Sequence, residues 1–401
     1  MAPTWKSCYI FPVSAAVLHQ GRRILPVAFV VAASSIIFCV MPVLMGLFAK
    51  ELGLGWRQLG WVAACVQGGT LIGTLIAFRL LRRQGCRTGL LLGSACSMLF
   101  CLLTACARTL PALLCFQLLA GVGAGGVFGT GTYLLGRTPR PERGFSVMLG
   151  IQAACSCAFA AALPIVYLHY GYTTAVSSVA LWFVAIFLVV WQAQQDPTPG
   201  ARSVGTLPER RPRESLDLRS LSVVLGIMSF EIAVLAVWLY SDRVGEHWGL
   251  AADRVGTGIA LGGLGAIPAG AMGLALGDRY GHSRLVILAT VLVLGSEAAM
   301  LHPLSFTFYA AGQFTLNFGW TLGLSYYMGL AAKHDARGRI IPLVPAAVIV
   351  ATGVAPLCVA TFGRDGDLAS IFTISVFFSV IALLLLISTR LGRGTVSWGV
   401  G

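Results

Sequence analysis

Charge is scarce in this sequence: 11% of its 401 residues are Asp, Glu, Lys or Arg, against 57% that are hydrophobic, and mean hydropathy is +0.83. Soluble domains carry roughly 25% charged residues, so this chain has too little polar surface to cover a globule facing water. Its 11 Cys contain no CxxC pair and no metal-ligand spacing. Most of them, Cys39, Cys65, Cys96, Cys101, Cys106, Cys115, Cys155, Cys157 and Cys358, fall inside apolar runs and read as buried thiols. Cys155-Ser-Cys157 offers two soft ligands on different faces of a helix, which makes a poor metal site. There is no Gly-Lys-Ser/Thr phosphate loop, no His-Glu-x-x-His and no Gly-x-Ser-x-Gly. Nucleotide hydrolysis, zinc proteolysis and serine-hydrolase chemistry therefore have no motif to rest on. The chain is expected to be neither an enzyme nor a holder of a cofactor or metal.

Apolar length is abundant. Runs at 24–48, 58–79, 88–107, 110–136, 144–168, 173–192, 221–241, 255–277, 284–302, 306–331, 340–362 and 368–389 are each close to the roughly 20 residues that cross a bilayer as a helix. Backbone polar groups in hydrocarbon must satisfy one another, which excludes open sheets. The expected fold class is an all-α polytopic membrane protein with twelve transmembrane helices in two six-helix bundles. All but six of the 28 Lys and Arg lie at the two ends or in every second gap between runs; the six are Lys50, Arg57, Arg108, Arg243, Arg254 and Arg364. Basic flanks stay on the cytoplasmic side during insertion, so both termini are expected to be cytoplasmic. The net charge of +13 is explained by these short loops and anionic headgroups and does not call for nucleic acid. Compact loops point to the bacterial inner membrane as the location, and a monomer is expected.

The longest polar stretch separates the sixth and seventh runs. It holds Asp196-Pro197-Thr198-Pro199-Gly200 and Glu209-Arg210-Arg211-Pro212-Arg213-Glu214, a composition that favours a solvated linker. The expected domains are an N-terminal extension at 1–23, a first bundle at 24–192, a cytoplasmic linker at 193–220, a second bundle at 221–389 and a cytoplasmic tail at 390–401. In the extension, Lys6 and the apolar residues after it have the outline of a short signal peptide. Pro12 interrupts that outline, no small-x-small cleavage site follows, and Arg22-Arg23 reads better as the flank of the first transmembrane helix. The segment is therefore expected to be a cytoplasmic or interfacial extension.

Three motifs carry a resemblance. Asp278-Arg279-Tyr280-Gly281-His282-Ser283-Arg284, after the eighth run, is similar to the Asp-Arg-x-Gly-Arg-Arg signature of the major facilitator superfamily. A weaker copy, Arg82-Arg83-Gln84-Gly85-Cys86-Arg87, follows the second run, with Arg82 in place of the acidic residue. Gln117 to Gly125 resembles the family's Arg-x-x-x-Gly-x-Gly pattern with Gln in place of Arg, and Asp335 to Arg339 is a third, fainter echo. With two six-run halves around a linker, the resemblance covers essentially the whole chain. It implies a permease working by alternating access, with solute bound near the midplane between the halves. It also implies that the first, fourth, seventh and tenth helices line the cavity, and that Asp278, Arg279 and Arg284 form a cytoplasmic gate.

Gly121-Val-Gly123-Ala-Gly125-Gly126 matches a dinucleotide fingerprint, but it lies inside an apolar run with no preceding strand, so close helix packing is the expected role. Of the 15 acidic residues, only Glu231 and Glu297 fall well inside spans. Glu231 is at the midpoint of the seventh, where an ionised carboxylate costs several kcal/mol unless paired or hydrated. That makes it the candidate proton carrier, with a neutral, structurally hydrogen-bonded Glu as the alternative. Glu297, near an outer helix end, is expected to snorkel or pair.

The tenth run places Gln313, Asn317, Trp320, Leu324 and Tyr327 on one helical face. Gln313, Asn317 and Trp320 are candidate substrate contacts, joined by Trp238, by Gln117 of the fourth run, and by Ser34 and Ser35 of the first. The spans as drawn put no Lys or Arg near their midpoints, so a neutral, amphipathic or cationic organic solute is expected rather than a strong anion. The expected partners are thus a small organic substrate, protons and the lipid bilayer. Efflux of amphipathic compounds is slightly favoured; a proton-coupled uptake symporter, a uniporter and a non-transporting membrane sensor are the alternatives.

Overall fold

In a computed structural model the residues that the structure describes, 20–83, 85–136, 141–192, 218–276, 279–302, 305–334 and 343–391, are helices joined by short turns. Residues 1–19, most of the linker and the Asp335 to Arg339 motif lie outside them. Sixteen helical segments trace twelve rods. The first rod is α1 (Gln20–Ser34), α2 (Ile36–Cys39) and α3 (Met41–Leu52). The next three are single helices, α4 (Trp56–Arg83), α5 (Cys86–Cys106) and α6 (Leu110–Gly136). The fifth and sixth come from α7 (Pro141–Ser178), which breaks at Gly171 (φ 80°), and α8 (Ala180–Gln192).

The seventh rod is α9 (Leu218–Trp238) continued by α10 (Ser241–His247), and the eighth is α11 (Ala252–Gly263) with α12 (Ala266–Leu276). The last four are α13 (His282–Met300), α14 (Phe306–His334), α15 (Leu343–Phe362) and α16 (Leu368–Leu391). The break inside the eighth rod follows the sequence where it is weak as helix. Gly262, Gly263, Gly265 and Pro268 surround the interruption between α11 and α12. At the first break, Ser34 and Ser35 both turn their hydroxyls back onto the main-chain oxygen of Val31, at 2.7 and 3.5 Å.

Among the described residues, eight helices are long and apolar enough to cross a membrane by length and composition, and three more are shorter apolar helices. Large apolar side chains such as Leu75, Leu168, Leu181, Phe377 and Leu384 are exposed around them, as lipid-facing surfaces require. α14 has the length, at 29 residues, but is not among the eight. Its apolar character is diluted by Gln313, Asn317 and four Gly.

The helices form two compact units, Met1–Gly53 with Cys65–Arg213, and Leu54–Ala64 with Glu214–Gly401. In the first, α5 packs on α6 and α8, and α1 packs on α6 and α7. There α4 and α6 approach backbone to backbone. A Cβ on Gly69 or Gly73 would strike the carbonyls of Leu118 or Val122, and one on Gly121 or Gly125 those of Val66 or Thr70. The glycine run is therefore a packing surface inside one helix, as its apolar setting requires. In the second unit α9 packs on α14, α15 and α16, and α14 lies against α11, α12 and α13. The repeated Arg and Gly motifs also share a backbone form. Gly85 caps α5 at φ 88° and Gly281 caps α13 at φ 79°, a conformation that admits glycine at no steric cost.

Candidate functional site

Glu231 is 1% exposed at the middle of α9. Its Oε1 accepts a hydrogen bond from Trp320 Nε1 on α14 at 2.9 Å, and among the described residues it has no ion-pair partner. The two residues singled out for proton and solute handling are therefore in contact. Trp320 is half-buried, as are Asn317, one turn away, and Trp238, near the end of α9. Asn317 donates from Nδ2 to the main-chain oxygen of Gln313 at 2.9 Å. A fully buried acid, an indole lying on it and a partly open amide thus form a compact polar spot between α9 and α14.

Gln313 has a different place from the one its spacing predicts. It is wholly buried, its Oε1 accepts from Ser241 Oγ at 3.0 Å, and its Nε2 lies 3.5 Å from Met300 Sδ. Tyr309, one turn earlier, donates to the Ser241 carbonyl at 2.8 Å. The amide braces α14 against α10 and α13 rather than being presented to a solute. Tyr327, at the other end of the predicted face, is also buried, with its ring 5.5 Å from that of Phe230 and its hydroxyl on the Ala382 carbonyl at 3.3 Å. Only the middle of the predicted stripe, Asn317 to Leu324, remains partly open.

In the first unit, Gln117 is 3% exposed and its Oε1 has no hydrogen-bond partner among the described residues. Ser34 is buried and Ser35 half-buried, both bonded within their own helix. Of the predicted gate, Arg279 and Arg284 are exposed, and Asp278 lies outside the described residues.

One feature escaped the sequence. Arg243, expected in an outer loop, is 8% exposed in α10 and ion-paired with Asp242 and Glu246. A cation is therefore buried after all, twelve residues beyond Glu231 and so roughly 18 Å along the rod at helical rise. Acidic residues one before and three after an Arg at a helix end were the available signal. Glu297 is 2% exposed rather than snorkelling, and accepts from Ser375 Oγ on α16 at 2.5 Å.

No family model matches this sequence, and no curated protein matches it in sequence. The solved structures do. A bacterial homologue of the human lysosomal transporter Spinster, in an inward-facing unoccupied conformation, superposes with TM-score 0.75 at 12% identity, covering 94% of this chain and 98% of the other. A D-xylose-proton symporter gives TM-score 0.69 at 13% identity, with 93% and 97% covered. The nucleoside transporter NupG gives 0.66 at 9% identity, with 94% and 99% covered. All three are membrane transporters. Over nearly its full length, then, this chain has the twelve-helix fold of major facilitator superfamily transporters.

Proposed function

We propose that the protein is a secondary transporter that moves a small organic solute by alternating access, coupled to protons through Glu231. The observation that carries this reading is the contact between a carboxyl group buried at the midpoint of α9 and the indole of Trp320, with no cation paired to it among the described residues. A buried acid without a counter-charge is kept neutral, or is hydrated when its cavity opens. The indole N–H can only donate, so it serves the carboxylate and the carbonyl oxygen of the neutral acid alike.

Solute stacking on Trp320 and hydrogen bonding to Asn317 would shift the indole and so alter what Glu231 faces. Occupancy and protonation are linked through one side chain. Trp238, and Gln117, Ser34 and Ser35 of the first unit, are carried forward as further solute contacts, with Gln313 as their support. Asp278, Arg279 and Arg284 are carried forward as the cytoplasmic gate, on the strength of the motif.

The energetics are modest, since one proton moving through 100 mV gains about 2.3 kcal/mol. That the structurally similar xylose protein is a proton symporter supports coupling in this fold. Efflux of neutral or cationic amphipathic compounds fits the aromatic and amide character of the spot. The test is proton flux in proteoliposomes of wild type and Glu231→Gln against a panel of such solutes. Solute-dependent proton movement is expected in the wild type only, with solute exchange retained in the variant. Equal solute-dependent proton flux in both proteins removes Glu231 from coupling, whereas solute movement without proton flux in either leaves uniport.

A further inference from the structure

Away from that spot, the first unit carries a lipid-facing groove between α4, α5 and α6. It is a cavity of about 170 Å³ walled by Gly73 and Ala77 of α4, Gly89 and Gly93 of α5, and Gly126 and Thr130 of α6. Ile76 and Leu92, 41% and 56% exposed, stand at its rim, so it opens toward the surroundings of the helix bundle. Its volume is close to that of a cavity of about 150 Å³ that holds a benzene-sized apolar group, which suits a stretch of hydrocarbon chain and is too small for a headgroup.

Small residues alone would make only a dent. Thr130 adds chemistry. It is fully buried, it lines the groove, and its Oγ1 has no hydrogen-bond partner among the described residues. Other threonines of these helices, Thr70, Thr74 and Thr132, turn their hydroxyls back onto the carbonyl four residues earlier. The Thr130 oxygen instead lies 3.3 Å from where a Cβ on Gly89 would sit. A buried hydroxyl left without an acceptor costs about 1–3 kcal/mol, so the position asks for a ligand oxygen.

Charge selects the ligand. Ala77, Gly89 and Thr130 mark the end of the groove nearest the arginine-rich turn between α4 and α5. Arg79 is exposed and follows Ile76 by three residues along the helix face.

We propose that this groove seats one acyl chain of an anionic phospholipid from the leaflet on the arginine-rich side. The chain lies along Gly89, Gly93 and Gly126, its ester carbonyl accepts from Thr130, and its phosphate is held by Arg79. The lipid is a bound component of the first unit, independent of any solute carried past Glu231.

Native mass spectrometry of the detergent-solubilised full chain, titrated with phosphatidylglycerol or phosphatidylcholine of matched chains, tests this. One phosphatidylglycerol is expected to be retained in preference to phosphatidylcholine. Gly126→Leu fills the groove without a backbone clash, the nearest atom to an added Cβ being Gly93 Cα at 3.9 Å. Displacing about two methylenes at roughly 0.8 kcal/mol each weakens retention about tenfold. Arg79→Gln is expected to abolish the headgroup preference while leaving chain binding. Thr130→Val, nearly isosteric, guards against a folding artefact and is expected to weaken both lipids by a few-fold, leaving the headgroup preference in place. Equal retention of both lipids by the wild type, or unchanged retention in both Gly126→Leu and Thr130→Val, overturns the proposal.

Discussion

An indole that can only donate, resting on an acid with no cation paired to it, makes the two residues energetically dependent on each other. Trp320→Phe keeps most of the aromatic volume but leaves Glu231 Oε1 without its donor, which is expected to cost about 1–3 kcal/mol of stability. In a Glu231→Leu background the same change is expected to cost under about 0.5 kcal/mol, because the acceptor is gone. Thermal unfolding of the four proteins in detergent closes the cycle, and additive costs would show that the contact carries no coupling.

Arg243 makes a second residue-scale case. Asp242 is buried with it while Glu246 has a side chain 42% exposed. Arg243→Met strands a buried carboxylate and is expected to destabilise by about 3–5 kcal/mol, whereas Glu246→Gln is expected to cost less than about 1 kcal/mol. Comparable losses in the two variants, read by the same melting assay, would show that burial does not set the energy of this cluster. Glu231 was legible in the sequence because an acid in the middle of an apolar run contradicts its surroundings. Gln313 was misread because spacing fixes which residues share a face of α14, while the packing of α10 and α13 decides how much of that face is closed. Arg243 was hidden by the same limit, since whether a charged turn at a helix end folds inward depends on neighbours distant in sequence.

At the scale of elements, adjacent glycines in α4 behave as opposites. Gly69 faces the Leu118 backbone with no room for a Cβ, whereas nothing lies within 4 Å of one on Gly68. Gly69→Ala is expected to separate α4 from α6 and destabilise the protein by about 1–3 kcal/mol or more. Gly68→Ala is expected to stabilise by about 0.5–1 kcal/mol through helix propensity alone. Melting temperatures moving the same way in both variants would contradict the close α4 and α6 approach.

The glycine run of α6 announced such packing in the sequence through its small-residue spacing, and the Arg-x-Gly repeats announced the positive-φ turns before α5 and α13. The division of rods into segments was less visible. The glycines and Pro268 mark the break before α12, but the one between α9 and α10 falls at Leu239 and Tyr240, ordinary helix residues. There Tyr240 is fully buried and donates from its hydroxyl to the Trp56 carbonyl at 3.0 Å, a tertiary contact that local propensity does not encode.

At the scale of the whole molecule, twelve rods were readable because hydrocarbon imposes one length and one type of secondary structure on every crossing. The direction of crossing is a separate question that arginine placement addresses. If the arginine-rich turns face the cytoplasm, the far end of α5 faces outward, and Cys106, its last residue, is exposed there. A membrane-impermeant maleimide added to intact cells is then expected to label the protein at Cys106, and Cys106→Ser is expected to remove that label. Labelling of Cys106 only after the membrane is opened would mean that the chain inserts the other way, which would also move the lipid groove to the outer leaflet and the motif around Arg279 and Arg284 to the outer face.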